Sequence, residues 1–75
     1  MNKEKFEELL KEAENGNAEA MYLVAIEYQL GNVVEQDLQE AVAWMTEAAE
    51  LGNEDAKAWL EDYYFDDDAN VQANS

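Results

Sequence analysis

Cysteine, histidine, arginine and proline are all missing from this chain. Without cysteine there is no disulfide and no thiolate metal ligand, which fits a reducing compartment and offers no argument for secretion. Without histidine or cysteine the commonest general base and the strongest nucleophile are gone. Without arginine nothing can grip a phosphate or carboxylate with two parallel hydrogen bonds. Thr46 and Ser75 are the only hydroxyls outside the four tyrosines. Positive charge is scarce as well, with four lysines against nineteen acids, for a net charge of −15. No apolar run follows Met1-Asn2-Lys3-Glu4-Lys5-Phe6, so neither a signal peptide nor a membrane-spanning segment is expected. These absences point to a non-enzymatic protein in the cytoplasm, with no cofactor, no metal and no membrane.

Carboxylates are the one plentiful chemical resource. A glycosidase-type acid pair would need a walled cleft that drives two pKa values apart, and seventy-five residues offer little room for one. Asp66, Asp67 and Asp68 do not make a calcium loop, because alternating ligands, a glycine at the sixth position and a glutamate at the twelfth are lacking. So strong an acidity disfavours contact with nucleic acid and with anionic membranes, and it favours basic protein surfaces. It does not signal disorder here, since 48% of the residues are hydrophobic and they recur at helical spacing.

The pattern predicts four helices. Asn2 caps the first, which runs to about Glu14 with Phe6, Leu9, Leu10 and Ala13 inward. Asn17 caps the second, from Ala18 to about Leu30; its run Met21 to Ile26 is apolar over most of its circumference. Such a helix is either sandwiched between others or exposes a binding surface. Asp37, with Glu40 three residues on, forms a capping box for the third helix, whose inner face is Leu38, Ala41, Val42, Met45, Ala48 and Ala49. Asn53 caps the fourth, from Glu54 to about Phe65, with Ala56, Trp59, Leu60, Tyr63 and Tyr64 inward. Gly16, Gly31 and Gly52 close the first three helices. Residues 1–65 read as one helical domain and residues 66–75 as an acidic, disordered tail.

A shift of 36 residues lays Ala13-Glu14 on Ala49-Glu50, Gly16-Asn17 on Gly52-Asn53, Ala20 on Ala56 and Tyr28 on Tyr64. A period in this range marks a helical solenoid whose unit is a helix pair. Calling the two members A and B, the chain reads B, A, B, A. The residues Ala20, Tyr28, Gly31, Asp37, Ala41, Trp44, Ala48-Ala49, Gly52 and Ala56 resemble the Sel1-like repeat family, relatives of the tetratricopeptide repeats, over about residues 6–65. The resemblance implies an all-α fold of four antiparallel helices in two stacked pairs, and a role in binding other proteins. The sequence departs from the family pattern at Ala25 and Glu61, where a glycine is usual in the A helix, and at Val33, where a second loop glycine is usual. It departs again at Glu40 and Glu47, where the family has lysines.

Several acids stand where helix electrostatics disfavours them. Glu4, Glu8 and Glu12 follow one another at four-residue steps, about 6 Å apart, and like charges at that spacing cost about 0.2–0.5 kcal/mol each. Glu12, Glu14, Glu50, Glu61 and Asp62 fall near expected helix C-termini, where an anion costs about 0.3–1 kcal/mol. Each lysine has an acid three or four residues away: Lys3 with Glu7, Lys5 with Glu8, Lys11 with Glu7, Lys57 with Glu61. Local rules broken at a cost tend to mark function. The expected partner-binding residues are Glu4, Glu8, Glu12, Glu40, Glu47, Asp62, Asp66 and Asp67 on the acidic side, with Tyr22, Ile26 and Trp44 as exposed apolar candidates. Trp59 and Tyr64 are expected in the core. The expected partner is a protein with a basic surface. A sharper alternative is a nucleic-acid mimic, of the phage or mobile-element counter-defence type, that blocks the groove of a nuclease, CRISPR effector or repressor. A homodimer or a bound partner would complete the apolar end faces of so short a stack.

Overall fold

The computed structural model describes the backbone of residues 1–74 and the side chains of residues 1–65. Helix α1 covers Lys3–Glu14, α2 Ala18–Leu30, α3 Leu38–Glu50 and α4 Glu54–Asn74. The helices pack in series, α1 on α2, α2 on α3 and α3 on α4. They form an all-α helical repeat fragment, two helix pairs side by side.

The two α-to-α turns have the same construction. At the first, Gly16 N–H donates to Ala13 O at 3.0 Å and Asn17 N–H to Glu12 O at 3.1 Å. At the second, Gly52 N–H donates to Ala49 O at 2.9 Å and Asn53 N–H to Ala48 O at 3.0 Å. This pair of bonds closes a helix on a residue of positive φ, here Gly52 at +100°. The asparagine that follows opens the next helix at once. Asn17 Oδ1 accepts from Ala20 N–H at 3.1 Å, and Asn53 Oδ1 from Ala56 N–H at 2.8 Å. Asn53 Nδ2 also donates to Glu19 at 3.3 Å, which ties one turn to its counterpart.

The longer connection, between α2 and α3, is pinned at three points. Gly31 ends α2 in the left-handed conformation, φ +73°. Its missing side chain leaves room for Gln36, whose Nε2 donates to Gln29 O at 2.7 Å. Asp37 N–H then donates to Tyr28 O at 2.9 Å, and Asp37 Oδ1 accepts from Glu40 N–H at 3.1 Å. Only half of the expected capping box forms, because the N–H that Glu40 would reach is already taken by Tyr28.

The core is thin and rich in alanine. Its buried apolar residues are Phe6, Ala13, Ala20, Met21, Val24, Ala25, Ala41, Met45, Ala48 and Ala56. Small side chains let helices approach closely, and Met45, with Val24, supplies the larger fully buried volume. Helix α2 is sandwiched between α1 and α3, which accounts for its nearly all-round apolar surface.

Four expectations need correction. Helix α4 continues to Asn74 rather than ending near Phe65: after Gly52 the chain holds neither glycine nor proline to break the backbone hydrogen-bonding pattern. Glu61 and Asp62 therefore lie inside a helix, away from the C-terminal dipole. Leu38, placed on the inner face of α3, is 45% exposed, since it stands at the first turn, beyond the edge of α2. Tyr64 is 56% exposed rather than core. Among the described residues the one ion pair is Lys57–Glu54 at 3.2 Å, so Lys57 turns back by three residues and not forward to Glu61. Exposed pairs of this kind gain little over separate hydration.

Candidate functional site

The acidic candidates divide between three helices. Glu4, Glu8 and Glu12 are all exposed on α1. A shallow, open groove of about 510 Å³ gathers Glu4 and Glu8 with Glu7, Leu10, Lys11 and Glu14, and leaves Glu12 outside. The reason is angular: residues 4, 7, 8, 11 and 14 make one stripe of a 3.6-residue helix, and residue 12 is turned away from it. Glu40 and Glu47 are exposed on α3, flanking the half-buried Trp44 on one stripe. Asp62 is exposed on α4. The side chains of Asp66 and Asp67 lie outside the described residues.

The apolar candidates are less open than expected. Tyr22, Ile26 and Trp44 are half-buried and packed against the core. Tyr22, Ile26 and Gln29 share a stripe of α2, and Gln29 Oε1 accepts from Trp59 Nε1 at 3.2 Å, which joins α4 to that stripe. The exposed aromatics lie on α4 instead: Tyr63 at 43%, Tyr64 at 56% and Phe65 at 61%. Tyr63 stacks on Trp59 with ring centres 5.3 Å apart and planes 8° from parallel, and it meets Tyr64 edge-on at 5.2 Å. Placing Tyr63 and Tyr64 on an inward face misses them as part of a surface.

A second feature had no sequence signal beyond its neighbours. Glu27 is buried, and its Oε1 has no hydrogen-bond partner. It shares a face of α2 with Ala20 and Val24, which draws it inward. Beside it, Tyr28 packs edge-on to Phe6 at 5.7 Å. Its hydroxyl is held above its ordinary value of 10.0, first by burial, then by the negative charges of Glu40 and Asp37 at the start of α3.

Residues 18–53 match the family model of the Sel1 repeat. This segment is a Sel1-like repeat. The match spans α2, the pinned loop, α3 and the second glycine–asparagine turn, one complete A–B unit. It is narrower than the resemblance read over about residues 6–65: α1 and α4 lie outside it. No curated protein and no solved structure matches the chain significantly. Sel1 repeats are generally non-catalytic protein-interaction repeats; the carboxylate groove on α1 and the aromatic cluster on α4 flank the matched segment on either side. Among the described residues no group of three or more potential metal-ligating side chains comes together, and no helix is long and apolar enough to cross a membrane.

Proposed function

We propose that this Sel1-like repeat protein is a non-enzymatic, cytoplasmic interaction module whose acidic surface binds a basic partner protein. The observation that carries the reading is the charge imbalance of the chain: nineteen acids against four lysines, with one ion pair among the described residues. Unpaired carboxylates along α1 give a negative field that steers a basic partner and holds it through salt-sensitive contacts. Sel1 repeats bind proteins, and the exchange of the family's two lysines for Glu40 and Glu47 gives this copy a further bias toward basic ligands.

The test is capture of partners from the host lysate at low salt, elution with a salt gradient, and repetition with the Glu4→Lys, Glu8→Lys, Glu12→Lys triple variant. A partner released at moderate salt and not captured by the variant supports the proposal. Capture that survives both high salt and charge reversal sinks it and reduces the acidity to a solubility device. Should the partner be a nucleic-acid-binding protein that DNA displaces in competition, the acidic surface acts as a nucleic-acid mimic.

A further inference from the structure

The 36-residue repeat makes α4 the counterpart of α2, and the two are covered differently. Helix α2 has α1 on one side and α3 on the other. Helix α4 has α3, and among the described residues nothing on the side that α3 occupies for α2. The consequence can be read residue by residue. Met21, Ala25 and Glu27 are buried in α2, and the residues one repeat later, Lys57, Glu61 and Tyr63, are exposed in α4. Tyr28 is half-buried beside the start of α3, where the Asp37 N–H bonds its carbonyl. Its counterpart Tyr64 is 56% exposed, and Phe65 beside it 61%. At the position of Gly31, where the chain turns back to build α3, the later copy has Asp67, and α4 runs straight on to Asn74.

We infer that the bare face of α4 around Tyr63, Tyr64 and Phe65 is a docking site for a basic amphipathic helix of another protein, lying where α3 lies on α2. Charge decides between possible occupants. Glu61 and Asp62 are exposed beside the aromatics, Glu54 and Asp55 are exposed at the start of the same helix, and its single described lysine, Lys57, is engaged by Glu54. A helix with lysine or arginine beside an apolar stripe complements this face in both respects. A second copy of the chain does not, because each copy carries −15. The inference rests on the proposal of a basic partner and narrows it to one place and one kind of ligand.

A synthetic helix of leucine–lysine heptads is a direct probe, with two controls: the same residues scrambled to remove the apolar stripe, and a leucine–glutamate helix. Binding is followed by amide NMR shifts on the whole chain. The expected result is binding of the leucine–lysine helix alone, with shifts centred on Tyr63 to Phe65. The double variant Tyr64→Ala, Phe65→Ala, whose side chains are exposed and whose melting is expected to be unchanged, should weaken binding at least about tenfold. The Glu4→Lys, Glu8→Lys, Glu12→Lys variant should weaken it far less. Equal binding of the scrambled peptide, or shifts centred on α1, overturns the docking site and leaves the basic-partner reading standing. Equal binding of the leucine–glutamate helix at the aromatics overturns the requirement for a basic partner. Concentration-dependent dimerisation of the chain that is lost in the double variant assigns the face to a second copy and overturns the inference.

Discussion

Replacing Met45 by alanine should cost far more stability than replacing Leu9, although the repeat places them at the same position. Met45 is fully buried, whereas Leu9 is half-buried at the edge of the stack. The cluster that holds Met45 includes Ala13, Ala20, Ala25, Ala48 and Ala56. An alanine has no rotamer that can swing into a void, so the space left by Met45→Ala should remain open. The lost transfer energy and the cavity together come to about 3 kcal/mol, and half-burial reduces the Leu9→Ala loss to about 1 kcal/mol. A chain of this length has a total stability of roughly 4–11 kcal/mol, so the first change removes a large share of it. Urea denaturation followed by helical circular dichroism is the assay. With a slope of about 1 kcal/mol/M at this size, the midpoint should fall by about 3 M for Met45→Ala and about 1 M for Leu9→Ala. Met45→Leu, nearly volume-conserving, should cost less than about 1.5 kcal/mol. Equal losses for the two alanine variants, or a loss under about 1 kcal/mol for Met45→Ala, would refute the view that Met45 is a principal space-filling residue of this alanine-rich core.

Other perturbations test the loop and the caps. Gly31→Ala places a Cβ 2.8 Å from Gln36 Cβ in a backbone of φ +73°; the strain of about 1–2 kcal/mol and the clash should lower the melting temperature by about 10 °C, and a variant as stable as the parent would exclude the contact. Asp37→Ala should cost about 1 kcal/mol through loss of its cap, while Glu40→Ala should change little, because it is the Glu40 N–H and not its side chain that bonds Asp37. Matching losses in chemical denaturation would restore the full capping box. Tyr28 holds its proton more tightly folded than unfolded. Its contribution is therefore complete below about pH 10 and is lost as the pH rises through the raised folded value. Melting from about pH 9 to about pH 11 should show a steeper decline for the parent than for Tyr28→Phe, and parallel curves would contradict the shift.

The caps and turns were legible because their chemistry is local. Asn2, Asn17, Asp37 and Asn53 each bond an N–H three residues ahead, and a glycine precedes two of them. Sequence spacing alone shows such bonds. What spacing cannot show is which neighbour is present. Helical spacing points Tyr64 inward, yet it is 56% exposed, whereas its repeat counterpart Tyr28 is half-buried beside the start of α3. A repeat position predicts an environment only where the flanking units exist. The same limit hid the exposure of the aromatics on α4, whereas the burial of Glu27 was signalled only by its place at i, i+4, i+7 with Ala20 and Val24. On α1, helical rotation leaves Glu12 outside the groove and brings Glu7 and Glu14 into it. The length of α4 was missed because an acidic, aperiodic composition was taken as a stop, although nothing in it forbids a helix.

The two glycine–asparagine turns make the unit between them portable. Each turn satisfies its own backbone groups within six residues, Glu12 to Asn17 and Ala48 to Asn53, and the asparagine then opens the next helix without help from the core. A duplicate of residues 17–52 inserted between Gly52 and Asn53 would meet the chain at Gly-Asn on both sides, so neither splice would create a new junction. Within the duplicate, the added copy of α3 would cover the added copy of α2. A copied segment would therefore extend the stack through junctions the chain already uses, and no linker need be invented.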